Sequence, residues 1–263
     1  MRLIHHALWL EWFKLRRRLA TWGIYIAFLT LTIFLFGVPF YSARGHGGAY
    51  WGLPEAWPTI LAGGAPVASI FGAVLVALTV SSEFEWRTSR QSIMDGLTRG
   101  EWLLGKLLLL PAVAGALYGT QIALGTGLAF LDTHATHKAL FYPTLTYLYA
   151  GIGVYIGMCC YAAIALLISL LVRSSGPAIG LTLIYQVFDN IVARTLHGFH
   201  RDGIAAWLPF QVQNSLLEFN QYLPHPPPSL DYHWNTLNLL FAGMGWAAAL
   251  AVASRWVYFA RDL

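Results

Sequence analysis

Apolar runs of about twenty residues or more, nearly free of charge, recur along this chain at 20–40, 61–80, 103–130, 146–172, 178–196 and 237–259. A helix rises 1.5 Å per residue, so each run is long enough to cross the roughly 30 Å hydrocarbon layer of a bilayer. The reading that follows is an all-α membrane protein, a six-span transmembrane helix bundle. With 57% hydrophobic and only 11% charged residues, nothing in the 263 residues resembles the charged surface of a soluble domain. The expectation is one membrane domain over 1–263. The third run exceeds the length needed to span and contains Pro111 with Gly115, Gly119, Gly125 and Gly127, so a tilt, kink or break is expected there.

The net charge of +4 does not point to nucleic acid, because the basic residues sit beside the ends of apolar runs rather than in a long polar stripe. With the N-terminus inside, Arg2, Lys14, Arg16, Arg17, Arg18, Arg87, Arg90, Arg99, Lys106, Arg173, Arg255 and Arg261 all fall on the cytoplasmic side. Arg44, Lys138 and Arg201, with Arg194 near a helix end, fall outside or close to it. That asymmetry predicts cytoplasmic termini and an even number of spans. Trp12, Trp22, Trp51, Trp57, Trp102, Tyr147, Trp256 and Tyr258 lie near run ends and suit interfacial belts.

Residues 1–19 do not make a signal peptide, since the basic cluster follows a long mixed segment. Ile4, Leu8, Trp12, Leu15 and Leu19 recur at helical spacing, while His6, Glu11, Lys14 and Arg18 share the other side. The segment therefore reads as an interfacial helix on the membrane surface, carrying Glu11, Lys14, Arg16, Arg17 and Arg18, with its charged side toward water or headgroups. The largest outer connection is 197–236, whose mildly amphipathic piece at 211–222 is expected to cap the bundle.

The most informative connection is the charged loop 82–102. Ser81 or Ser82 is placed to cap a short helix carrying Glu83 and Glu85 in its first turn. Gly96 offers a turn, and Thr98 stands three residues before Glu101, the spacing of a capping box leading into the third run. Helix, turn, helix at the membrane surface is a rigid arrangement, suited to receive a partner that pushes on it.

Here the chain resembles the ABC-2-type permeases, the membrane subunits of ATP-binding-cassette exporters. Glu11-Trp12-Phe13-Lys14-Leu15 is similar to the basic E-x-x-K-L stretch before the family's first span. Glu83, Phe84, Thr88, Arg99, Gly105 and Lys106 match the segment after its second span, with Arg87 at the usual glycine position. Arg173-Ser174-Ser175-Gly176-Pro177-Ala178 is similar to its short turn after the fourth span. The resemblance implies a multi-pass subunit of the bacterial cytoplasmic (inner) membrane, paired with a second permease copy or a paralogue and driven by separate ATPase subunits. It implies that 1–19 is the connecting helix and that 83–91 is a coupling helix seated on the ATPase. The coupling residues are then Glu83, Phe84, Glu85, Arg87, Thr88, Arg90, Arg99 and Lys106. The cargo implied is an amphipathic, peptide or lipid-like compound. ATP and Mg are expected on the partner, with no cofactor on this chain.

Other chemistry finds less support. The stretch 100–106 has the spacing G-x-x-x-x-G-K of a phosphate loop, but it lacks the following Ser or Thr, follows no strand and enters a span. His134 with His137 and His197 with His200 are pairs at helical spacing, and together they define a possible four-ligand metal site only if their loops meet. Cys159 and Cys160, adjacent in an apolar run, suit packing rather than a disulfide. In the fifth run Asp189, with Asn190 and Arg194, is a costly intramembrane residue, placed for a substrate path or a subunit contact, or for a structural polar contact at the interface. The alternative function is a polytopic membrane enzyme, possibly metal-dependent, or an assembly factor, without an ATPase partner.

Overall fold

A computed structural model of the chain describes residues 2–45, 56–57, 59–94, 96–135, 145–199, 207–217 and 236–260. Among these every regular element is helical: α1 (Arg2–Arg17), α2 (Leu19–Gly45), a π-helical turn (Thr59–Gly63), α3 (Ala65–Glu85), α4 (Thr88–Met94) and α5 (Arg99–Ala135). They continue with α6 (Leu145–Val172), α7 (Ser175–Gly198), α8 (Pro209–Leu217) and α9 (Thr236–Ala260).

Among the described residues, five stretches are long and apolar enough to cross a membrane: Leu19–Tyr41, Thr59–Glu85, Arg99–Leu131, Tyr147–Val172 and Asn238–Ala260. The chain is a multi-pass membrane protein. In α7, the run expected at 178–196, the apolar stretch among the described residues is Ser175–Tyr185. α3 and α6 are the most deeply buried of the five and share the most extensive interface. α5 completes this centre, α2 flanks it on α3 and α5, and α7 and α9 pack on the other side. The outward faces stay apolar, with Ile26, Phe34, Ile184, Phe188, Phe241 and Val252 exposed. In water this surface would be unstable, whereas acyl chains solvate it at little cost.

α5 runs unbroken for 37 residues despite Pro111. The proline removes one amide from the helix ladder, and the Tyr155 hydroxyl on α6 donates 2.9 Å to the Pro111 carbonyl. Of the connection 197–236, α8 is described, and it packs against α6 and α9 with Val212 and Leu216 buried. Gly243 makes this approach possible: a Cβ there would stand 2.7 Å from Leu216 and 2.9 Å from Ile156. Of the piece expected at 211–222, residues up to 217 belong to a helix beginning at Pro209, and residues 218–235 lie outside the described segments.

The ends of the helices that carry Lys and Arg converge. The C-terminus of α3, the N-terminus of α5, the α6–α7 turn, the C-terminus of α9 and α1 all meet at one end of the bundle, through the contacts described next.

Candidate functional site

At the basic end lies a layer of four charges, Glu11, Glu83 and Lys106 buried and Lys14 half-buried at its edge. Lys106 of α5, with no exposed surface, reaches Glu11 of α1 at 2.6 Å and Glu83 of α3 at 2.7 Å. Lys14 lies 3.1 Å from Glu83 and 3.3 Å from Glu11. The indole N–H of Trp102 donates to the second Glu83 oxygen at 2.9 Å. Two carboxylates and two ammonium groups thus cancel in charge, as burial in a low-dielectric layer requires. Burial works to lower the pKa of Lys14, but the Glu83 and Glu11 carboxylates more than offset it, so Lys14 is held above the ordinary lysine value.

The position of Glu83 corrects the sequence reading. Ser81 and Ser82 do not cap a new helix; they lie inside α3, where their hydroxyls donate back to the Ala77 and Thr79 carbonyls. Glu83 and Glu85 therefore sit in the last turn of α3, the negative end of its dipole, rather than the first turn of a surface helix. A carboxylate there needs cations, and Lys14 and Lys106 supply them. Glu83 and Lys106 are consequently internal ties, unable to touch a partner from the surface, whereas Glu85 is exposed and accepts from the Ser175 hydroxyl of α7 at 2.7 Å.

The N-terminal helix departs from its expected orientation at Glu11 and Lys14. Glu11 and Leu15 are buried, Lys14 is part-buried, and Arg18 donates to the Ser82 hydroxyl at 2.6 Å. Trp12 and Leu19 instead face outward, 61% and 89% exposed. Glu11 and Lys14 point into the bundle because their partners are there, and Trp9, Trp12 and Phe13 are exposed. Arg16 and Arg17 are exposed, Arg17 lying over the Phe13 ring at 4.1 Å. The side chains of Ile4, His6 and Leu8 lie outside the described residues.

The surface helix is α4, seven residues long, later in the chain than the 83–91 expected for it. Arg87 makes the break before it by adopting φ 56°, the left-handed conformation that glycine takes freely. Its amide donates to the Phe84 carbonyl at 3.1 Å, and the Thr88 hydroxyl satisfies the Glu83 carbonyl at 3.3 Å. At the other end Gly96, at φ 105°, closes α4: its amide and that of Leu97 donate to the Ile93 and Ser92 carbonyls, both at 3.1 Å. The capping box then opens α5 as the spacing predicts. The Thr98 amide and hydroxyl both donate to Glu101 at 2.8 Å, and the Glu101 amide donates to Thr98 at 3.2 Å.

Trp102 and Tyr258 correct another expectation, for they are not interfacial belt residues but a buried stack with ring centroids 4.9 Å apart. Phe84 meets Trp102 edge-on at 5.5 Å, so α3, α5 and α9 are joined at the level of Glu83. Trp12, Trp22 and Trp256 are exposed, as a belt requires. Outside the ion layer a cleft of about 210 Å³ opens between Phe84, Arg87, Ser89, Arg90 and Arg173. Arg87 and Arg90 are exposed, and Arg173, also left-handed at φ 57°, lies 5.3 Å above the Phe84 ring. Arg255 lies 5.6 Å over Phe259 near the end of α9. Arg99 begins α5 beside these groups.

The stretch 100–106 is continuous helix within α5, with the Lys106 ammonium engaged by carboxylates. Cys160 is buried and donates to the Gly243 carbonyl at 3.2 Å. On α7, Arg194 is exposed, while the side chains of Asp189 and Asn190 lie outside the described residues. The same holds for His134, His137, His197 and His200, and among the described residues no group of three His, Cys, Asp or Glu could hold a metal.

A family described as a protein of unknown function, DUF2705, matches residues 26–263. The chain belongs to that family. The match takes in Glu83, Trp102 and Lys106, together with α4 and its basic cleft, and begins beyond Glu11 and Lys14. No curated protein matches the chain significantly.

Proposed function

We propose that this DUF2705 member is the transmembrane permease subunit of an ATP-driven ABC exporter. It works with separate ATPase subunits and a second permease copy or paralogue, and moves an amphipathic, peptide or lipid-like compound. The observation that carries the reading is the ion layer of Glu11, Lys14, Glu83 and Lys106, joined to the start of the surface helix α4 where the Thr88 hydroxyl donates to the Glu83 carbonyl. α4 is held at both ends by left-handed turns, and its neighbour Glu83 ties α1, α3 and α5 to one point. A push on α4 is therefore shared by three helices at once, which is what a separate motor requires of the subunit it drives. The exposed basic cleft at Arg87 and Arg90 suits an acidic groove on that motor.

Topology supports six traverses. α7 starts at the basic end, where Ser175 meets Glu85, and the chain next forms α8 against Gly153 and Gly243 at the opposite end. A helix of 24 residues is about 36 Å long, enough to cross. An even count with the basic end inward puts both termini in the cytoplasm, and the exporter reading puts the chain in the bacterial cytoplasmic membrane.

The test is purification of the tagged full chain from its native cells in mild detergent, with an ATPase assay on the product. Recovery of a soluble ATP-hydrolysing subunit in near-equal amount is the expected result. Recovery of the chain alone, without nucleotide hydrolysis across several detergents, overturns the proposal in favour of a membrane enzyme or assembly factor.

A further inference from the structure

A crevice of about 410 Å³ opens between α1, α2, α3 and α5, within the size range of small-molecule sites. Its walls come from Leu15, Tyr25, Leu75, Leu109, Ala116 and Leu117. Along α5 it extends from Leu109 to Leu117, on the order of 12 Å of helix. The polar groups on its lining are largely engaged elsewhere. The Glu11 carboxylate is held by Lys14 and Lys106, the Trp22 indole N–H donates to the Arg16 carbonyl at 2.9 Å, and the Tyr25 hydroxyl shares a 3.0 Å hydrogen bond with Thr120. The interior thus presents apolar surface. At its mouth stands exposed Arg16, next to Trp12 and Trp22, whose indoles mark the level of lipid headgroups.

We infer that this crevice holds one acyl chain of an anionic phospholipid from the leaflet at the basic end, with the headgroup phosphate on Arg16. An extended chain lies along α5 as the crevice does, apolar along its length and negative at the end where Arg16 waits. Ala112 and Ala116 leave the space on the α5 side, since larger side chains there would fill it. A lipid so placed wedges α1 against α5 beside the ion layer and makes docking of α1 depend on the surrounding membrane. The inference needs only that the bundle lies in a bilayer, so it stands or falls apart from the exporter reading.

The test uses the full chain in vesicles of phosphatidylcholine doped with phosphatidylglycerol carrying a diazirine on its acyl chain, with the cross-linked peptides mapped by mass spectrometry. Labelling concentrated on the segments around Tyr25 and 109–117, competed by unlabelled phosphatidylglycerol but not by phosphatidylcholine, is the expected result. Ala116→Phe, and independently Ala112→Phe, should abolish that concentration in protein that still elutes as a single species. Arg16→Gln should lower the preference for the anionic lipid about fivefold, the factor equivalent to ~1 kcal/mol for one basic residue at the surface. Labelling spread evenly over the outward faces at Phe34, Ile184 and Phe241, unaltered by either alanine substitution, overturns the site. Concentrated labelling that both lipids compete equally overturns its anionic specificity.

Discussion

The Lys106 ammonium lies 2.7 Å from the Glu83 carboxylate, and neither side chain has more than 1% of its surface exposed. Two helices of the bundle are thereby locked at one level, and Lys14 and Glu11 bring the N-terminal helix to the same point. Such a layer adds little stability over a well-packed apolar one, because desolvation offsets much of the attraction, but its half-removal is costly.

Lys106→Met should therefore destabilise the protein by about 3–5 kcal/mol, since both buried carboxylates are left with Lys14 as their one cationic partner in the layer. The double variant Lys106→Met with Glu83→Gln should recover part of that loss by removing one stranded charge. Thermal unfolding in detergent, read as a double-mutant cycle, measures both. Losses of the two single variants, Lys106→Met and Glu83→Gln, that simply add in the double variant would mean that the two groups do not depend on each other.

Lys14 gives the layer a pH dependence of definite sign. Its pKa is raised in the folded protein, so its contribution is full below the ordinary lysine value of ~10.4 and is lost as pH rises through the folded value. A nitroxide at position 9, introduced as Trp9→Cys in a chain lacking Cys159 and Cys160, should stay equally immobile from neutral pH upward and loosen only in strong alkali. In Lys14→Met that alkaline step should vanish.

Arg87→Gly tests the turn between α3 and α4. At φ 56° glycine costs less than any branched residue, so the variant should be as stable as the parent or more stable by about 1 kcal/mol. Arg87→Ala, which keeps the strain, should show no such gain. If α4 and its cleft receive the motor, both variants should still weaken coupling between ATP hydrolysis and transport, because both remove the guanidinium.

Gly243→Ala should destabilise by about 1–3 kcal/mol through overlap with Leu216 and Ile156. Leu216→Ala in the same chain should relieve it. Melting temperatures of the two single variants and the double variant check whether α8 is pinned on α9 at this glycine.

Five of the six expected spans were legible because hydrocarbon demands long apolar runs and little else in a sequence produces them. The capping box at Thr98 and Glu101 was legible for a similar reason, being a local motif whose partners are three residues apart. The direction of α1 was not. An amphipathic helix is ordinarily read with its charges toward water, and nothing local to Glu11 and Lys14 says that Glu83 and Lys106 wait within the bundle. The available signal was Lys106 itself, a lone cation among Leu103, Leu104, Leu107 and Leu108, which must find a carboxylate once buried. Trp102 was missed for the complementary reason: its place near a run end fits a belt, and only the approach of Tyr258, far along the chain, makes it core.

On the proposed function, α4 and the basic cleft receive an ATPase. This docking is tested most directly by placing a photo-reactive amino acid at exposed Met94, and as a control at lipid-facing Ile184, in the native cells. The expected result is a cross-link from position 94, absent from position 184, to a soluble protein that binds and hydrolyses ATP, and its loss in Arg87→Glu with Arg90→Glu. Cross-links from position 94 to lipid alone, with no ATP-hydrolysing partner, would contradict it.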